Sequence, residues 1–433
     1  MESKHDATAT NEAGVPVPVL PYGNDAPTAA GVRLSIMMFL QFFVWGAWYV
    51  TVGNYMAVNG MAESIAWAYS VGPIAAIVSP FFLGMVADRF FSSERVLGVL
   101  HLIGGAVMFA APAVGGQGNQ TLFILVLLVH MLAYMPTLGL TNTVAFSAMT
   151  NPEKQFPLIR VFGTIGWIAA GWIVSKWLGA DTLATQFYVT GAAAIALGLF
   201  SFFLPHTPPP NKGQPVSARA ILGLDSLALL KDRSFAVFIV SSFLVCIPLA
   251  AYYAYAPVFV AATGFENPAF TMSFGQVSEI VFMLVMPLFF ARLGVKYMLL
   301  VGMLAWVVRY ALFAAGAPAS VAWMVVGGVL LHGICYDFFF VTGFIYTEKK
   351  AGPGIRAQAQ GFLVLVTQGL GMLIGAQVSG AIFNNIMTDV EGPAVMQNWQ
   401  QFWIVPCIAA AVVSVLFFLL FRERDVKGEE LAK

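Results

Sequence analysis

Charged residues are scarce in this sequence. Asp, Glu, Lys and Arg together make up 10% of the 433 residues, too few to coat a water-soluble protein of that length. They also balance, 21 basic against 21 acidic, which excludes the broad positive field of a nucleic-acid-binding protein and leaves no acidic tail. Nucleic acid is therefore not an expected partner. Cysteine is almost lacking, and Cys246, Cys335 and Cys407 fall inside apolar runs at spacings that match neither a disulfide framework nor a metal cluster. The five histidines are scattered, and no His-Glu-x-x-His pattern, Gly-x-Ser-x-Gly elbow or phosphate loop occurs. Neither an enzyme nor a metal or cofactor is expected. Residues 1–32, rich in Pro, Ala, Gly and Thr, lack a basic segment leading to a cleavage site, so they read as a disordered cytoplasmic tail and the first apolar run as a retained span.

What the sequence has in abundance is apolar length. Hydrophobic residues make up 59% of the chain and the mean hydropathy is +0.81, the composition of an integral membrane protein. A helix needs about 20 apolar residues to cross the hydrocarbon. Scanning for such runs gives twelve, over 33–54, 65–87, 95–113, 121–147, 157–178, 185–205, 233–261, 272–292, 296–316, 321–347, 356–385 and 399–421. With the N-terminus inside, Arg89, Arg95, Lys154, Lys212, Arg219, Lys231, Arg292, Lys296, Lys349, Lys350, Arg422, Arg424 and Lys427 all fall on the cytoplasmic side, against little more than Lys176 outside. The positive-inside bias thus places both termini in the cytoplasm. The connection 206–232, with its HTPPPNKGQP stretch, is too short for a catalytic domain and reads as a cytoplasmic linker between six-helix bundles at 33–205 and 233–421. A tail of 422–433 follows.

The halves echo each other weakly. Pro80-Phe-Phe precedes a basic residue at the end of span 2, as Pro287-Leu-Phe-Phe-Ala-Arg292 ends span 8, and Ile159-Arg160 and Ile355-Arg356 open spans 5 and 11. Twelve helices in two related halves is the pattern of a secondary transporter with its substrate site between the halves.

Ionisable groups in lipid cost roughly 2.5–3.5 kcal/mol each on insertion scales and need a partner or a wet cavity. Arg160, Glu279, Arg309 and Asp337 stand out. Asp337 has three readings: an ion-paired carboxylate, a permanently protonated carboxyl, or a group that gains and loses a proton during transport. The last is favoured, because burial and a movable cation shift a carboxyl in opposite directions. Gln276 and Glu279 share a helix face and could hold a polyhydroxylated or heterocyclic ligand, with interhelical polar contact as the plain alternative. Arg160, Thr164 and Trp167 form an i, i+4, i+7 face that suits a ring-bearing ligand, although Arg160 could instead snorkel. Arg309 reads as half of a structural ion pair. Gln41, Trp45 and Trp48 share a face of span 1, either walling a cavity or anchoring at the interface. Pro136 and Gly139 loosen span 4, where Thr137 and Thr141 can satisfy freed backbone groups. At least one of Tyr252, Tyr253 and Tyr255 should face the centre. Gly163, Gly166, Gly361, Gly369, Gly371 and Gly375 would permit close helix contacts.

GMVADR at 84–89 resembles the Gly-x-x-x-Asp-Arg signature of the major facilitator superfamily, in which Asp88 and Arg89 would latch a gate. More specific is the ordered series FLQFFVWGAW, AYMPTLGLTNT, PLIRVFGTIGW, GQVSE, AWVVRYALFA, YDFF and IRAQAQG, which is similar to the nucleoside:proton symporter family from about residue 33 to 421. The resemblance implies an all-α membrane protein of the major facilitator superfamily fold, a monomer that takes up nucleosides with protons across the bacterial inner membrane by alternating access. It places substrate binding at Arg160, Thr164, Trp167, Tyr253, Gln276, Glu279 and Tyr336, and proton coupling at Asp337 and Glu279. Trp167 and Tyr336 stand for family phenylalanines and His332 for a tyrosine. Span 7 departs further, with Ala250 and Tyr253 where the family presents a Gln and an Asn. That departure leaves another small polar solute, or a transporter-like receptor, as the alternative.

Overall fold

The computed structural model describes residues 8–10, 16–18, 29–83, 88–116, 119–149, 152–209, 224–352, 355–388 and 390–422, without the side chains of 8–10, 16–18, Ala29, Asp88, 152–154 and Ala357. Most of the expected N-terminal tail, part of the linker and the end of the C-terminal tail lie outside these residues. Within the tail, Thr8–Thr10 pairs antiparallel with Pro16–Pro18; everything else regular is helical.

Among the described residues, ten helices are long and apolar enough to cross a membrane. Their ends follow local chemistry. Asn119 accepts the Leu122 N–H at 3.0 Å and Asp232 the Phe235 N–H at 2.8 Å, each capping a helix start. Leu284, Leu288, Ile408 and Leu419 stay exposed, as side chains facing lipid should. Aromatic packing fills the interior, with Trp399, Phe402 and Trp403 against Tyr255, Phe259, Tyr310 and Phe313. Ser93–Met108 and Thr185–Ser201 approach closely, so that an added Cβ at Gly105 would stand 2.9 Å from the Gly191 carbonyl oxygen.

Two spans in the sequence reading, 272–292 and 296–316, lie in one continuous stretch, Pro268–Gly316, which changes direction at Gly294. Its φ of 65° is open to glycine and strained for other residues. Thr185–Ser201, at 17 residues, is a shorter apolar helix. In helix Gln120–Ser147 the Thr137 and Thr141 hydroxyls donate to the Tyr134 and Leu138 carbonyls next to Pro136.

Helices before residue 202 meet those after residue 232 along one seam. Pro152–Gly171 packs on Pro268–Gly316, Ile65–Phe82 on Met372–Met387, and Val52–Val58 on Arg233–Ala262. At the end of the bundle away from Ala29 and Leu420, hydrogen bonds close the seam. Asn54 Nδ2 donates to the Pro257 carbonyl, Trp172 Nε1 to Ser273 Oγ, Gln377 Nε2 to Ser70 Oγ, and Asn384 Nδ2 to the Glu63 carbonyl. Asp181 accepts from Ser175 Oγ and from the Ala269 N–H.

Candidate functional site

Beneath that closed end, the seam holds a small cavity of about 20 Å³. Ala29–Tyr49 contributes Tyr49, Pro152–Gly171 contributes Trp167 and Gly171, Arg233–Ala262 contributes Tyr252, Tyr253 and Pro257, and the start of Pro268–Gly316 adds Met272, Ser273 and Gln276. Both groups of helices therefore supply its wall. Its volume is room for about one water and far short of the roughly 300–1,000 Å³ of a small-molecule site, so a ligand enters only when the seam opens.

Aromatic contacts set the shape of this wall. Trp45 meets Trp167 edge-on at 5.4 Å and Tyr49 at 5.5 Å, and Tyr49 meets Tyr253 at 6.1 Å across the seam. Tyr69 donates its hydroxyl to the Tyr49 carbonyl at 2.7 Å. The two tryptophans of span 1 part company, since Trp48 is fully buried against His130 and is no interfacial anchor. Gln41 holds the same helix in place, its Nε2 donating to Thr137 Oγ1 at 2.7 Å and its Oε1 lying 2.8 Å from His101 Nε2.

Of the residues singled out in the sequence, Trp167, Tyr253 and Gln276 are in the cavity wall, whereas Arg160, Thr164, Glu279, Tyr336 and Asp337 stand outside that lining. Arg160 lies 4.1 Å over the Phe42 ring, half-buried. Its charge acts on Glu279 and on the Tyr336 hydroxyl. Glu279 acts in turn on Tyr253 and on Asp337, so these groups surround one carboxylate. Thr164 is half-buried on the helix that carries Arg160 and Trp167. Asp337 is fully buried, and among the described residues neither carboxylate oxygen has a hydrogen-bond partner. It begins a π-helical turn, Asp337–Val341, a local widening often found at functional sites.

Arg309 corrects an expectation. It forms no ion pair among the described residues; its guanidinium lies 3.9 Å over the Tyr252 ring and its Nε donates to the Gly328 carbonyl at 3.0 Å. A scan for opposite charges overlooks an aromatic face and a carbonyl as partners. Gly361 likewise has nothing within 4 Å of an added Cβ, while Gly375 packs against Ala250, where an added Cβ would come within 2.7 Å of the Ala250 Cβ. Ala250 is thus buried in a helix contact. For the expected latch, Gly84 to Ala87 and the Asp88 side chain lie outside the described residues, and Arg89 sits in the single turn Asp88–Phe90.

The sequence reading missed Tyr49 and Ser273. Tyr49 had a signal, because residues 41, 45 and 49 follow one helix face at successive i+4 steps; Ser273 had none.

The profile of the nucleoside H+ symporter family matches residues 29–426. The Escherichia coli (strain K12) protein YegT is 40% identical over 403 residues, covering 91% of this chain and 94% of YegT. The nucleoside permease NupG of the same organism is 34% identical over 413 residues, covering 92% and 97%. Xanthosine permease, also from that organism, is 31% identical over 408 residues, covering 90% and 96%. Crystal structures of NupG, one of a mutant, superpose with TM-scores of 0.83 and 0.80 at 33% identity, covering 91% and 92% of this chain and 100% of theirs. A peptide transporter of 14% identity shares the fold alone, with a TM-score of 0.71. The wall built from both groups of helices, the ionisable cluster behind it and these matches agree: the chain belongs to the nucleoside H+ symporter family, as a multi-pass membrane transporter and not an enzyme.

Proposed function

We propose that this protein is a twelve-span symporter that brings nucleosides into a bacterial cell with protons, through the inner membrane, by alternating access. Counting the two parts of Pro268–Gly316 separately and adding Thr185–Ser201 brings the ten long helices to twelve, six on each side of the 206–232 linker. The basic residues at their ends favour cytoplasmic termini. The reading takes the chain as a monomer whose two halves rock about the seam.

The observation that carries this reading is the aromatic cavity at the seam with an acidic pair behind it. Trp167, Tyr49 and Tyr253 offer faces to a nucleobase, while Gln276 and Ser273 supply hydrogen bonds to a ribose or base edge. Where the family's two amides are replaced, Ala250 is taken up in helix packing and Tyr253 keeps one polar group in the wall. Arg160 and Thr164, on the helix that carries Trp167, are assigned to the substrate's path when the seam opens.

Glu279 and Asp337 are assigned the proton. An ionised Asp337 in this arrangement would be buried with no donor to either oxygen, a costly state. Rearrangement of the seam would admit water to it and allow release. Each proton entering with the membrane potential contributes about 2.3 kcal/mol per 100 mV, enough to concentrate a neutral solute some tens of fold. Asp88 and Arg89 are assigned a latch at the cytoplasmic end.

Proteoliposomes test both parts of the assignment. Wild-type protein should exchange labelled uridine or adenosine in counterflow and accumulate it when a pH gradient is imposed. Asp337→Asn should retain exchange and lose gradient-driven accumulation. Full accumulation by the variant would remove Asp337 from coupling, and no exchange by the wild type would remove the transport reading.

A further inference from the structure

His332 is a buried imidazole that the coupling scheme above leaves unused. It begins the short helix His332–Tyr336, just after the main chain departs from Ala322–Leu330. Its ring is stacked with Tyr252 at 5.7 Å and 19° on one side and with Tyr336 at 6.0 Å and 27° on the other, and Tyr253 meets it edge-on at 6.4 Å. This stack fixes the ring plane. Within that plane Nε2 lies 3.8 Å from Glu279 Oε2, while Nδ1 has no hydrogen-bond partner among the described residues.

The separation is built into the backbone. An added Cβ at Gly275 would come within 3.0 Å of the His332 Cβ, so only the absence of a side chain lets the helices close at this level. The Gly333 N–H donates to Ser278 Oγ at 2.9 Å, fixing the register one residue from each member of the pair. Among the described residues, Glu279 is the one carboxylate within 4 Å of the imidazole nitrogens. The other titratable or charged groups around it are Tyr252 and Tyr253 on Arg233–Ala262, Arg309 behind the Tyr252 ring, and Cys335, Tyr336 and Asp337 on its own segment.

We propose that His332 and Glu279 hold one proton between them, making the imidazole a third proton-carrying group of the coupling site. The inference rests on the transport reading above. The proton passes from Glu279 Oε2–H to His332 Nε2, leaving a carboxylate beside an imidazolium, so the pair's net charge does not change. A closure of about 1 Å brings the 3.8 Å separation to hydrogen-bond length. The unpartnered Nδ1 is then the position from which the proton leaves. A group able to accept the proton in two places keeps it to higher pH than a carboxyl alone.

Counterflow at equal internal and external pH, from pH 5 to 9, isolates this property from the driving force. Each profile is scaled to its own low-pH plateau. In His332→Gln and His332→Tyr, the midpoint should move at least one pH unit toward acid. An unmoved midpoint in both variants would overturn the dyad and leave His332 as packing. A second readout needs no transport: the 13C-labelled histidine signal lost in both variants is that of His332, and its titration should change when Glu279→Gln is introduced. If that titration is indifferent to Glu279→Gln, the shared proton is refuted. If no nucleoside exchanges at all, the transport reading falls, and the histidine titration still decides the pair.

Discussion

Arg309 and Asp337 are both fully buried and neither forms an ion pair among the described residues, yet their surroundings differ. Arg309 has an aromatic face at 3.9 Å and a carbonyl at 3.0 Å, whereas Asp337 has no hydrogen-bond partner among the described residues. The first is therefore a fixed element of structure and the second a group waiting for another arrangement. Arg309→Lys keeps the charge but loses the flat stack on Tyr252 and the Nε bond, because an ammonium is a compact point charge. A desolvated cation–π contact and a hydrogen bond together contribute roughly 1–3 kcal/mol. The variant should melt at a lower temperature in detergent than the wild type; equal melting would show that the stack contributes nothing. Residue type and hydropathy were enough to single out both positions. The partners of Arg309 were not legible, because the Tyr252 ring and the Gly328 carbonyl come to it from other helices, and the register between helices is not written in either one's periodicity. His332 illustrates this most clearly, since its proximity to Glu279 depends on a glycine at 275 and a serine at 278.

At the scale of elements, apolar length gave the helices and polar punctuation gave most of their ends. The break expected between residues 292 and 296 falls at Gly294, where the backbone turns. The π-helical stretches Trp172–Trp177, Asp337–Val341 and Leu365–Gly371 had no sequence signal, because in helices apolar on nearly every face a shift of register leaves little mark on the pattern. The 175–181 segment carries a device that is also silent in sequence. Asp181 ties the Ser175 hydroxyl to the first turn of Pro268–Gly316 through the Ala269 N–H, joining the two helix groups at the closed end. Burial pushes the Asp181 carboxyl above the ordinary carboxylate range, against the hydrogen bonds from Ser175 and Ala269 that pull it down. Opening returns the carboxyl to water and to its ordinary value. Protonation therefore favours the closed end, and this contribution is lost as pH rises from the ordinary value through the raised one. A cysteine at the cavity position Met272 reports the opening through its labelling by an impermeant thiol reagent from that side. Labelling should quicken with pH in that window, lose this dependence in Asp181→Asn, and be fast at every pH in Asp181→Ala. Identical labelling in all three backgrounds would mean that Asp181 does not hold the seam.

For the whole molecule, the sequence disclosed two groups of helices and a basic side, but it could not disclose which end of the seam is closed, because that is a choice among conformations of one chain. The structure has the end away from Ala29 and Leu420 joined by hydrogen bonds between the two groups, including Gln377 Nε2 to Ser70 Oγ and Asn384 Nδ2 to the Glu63 carbonyl. If the two groups rock as bodies about the cavity, these contacts must part once in every cycle. Ser70 and Gln377 lie outside the cavity wall, so joining them interferes with motion and leaves the binding residues in place. Cysteines at both positions, bridged by a short bifunctional thiol reagent, should abolish nucleoside uptake into vesicles while the bridged protein in detergent still binds nucleoside from the other end. Cleaving the bridge with reductant should restore uptake, which separates locking from damage. Undiminished uptake by the bridged protein would mean that substrate passes without this seam opening, and alternating access about it would have to be abandoned.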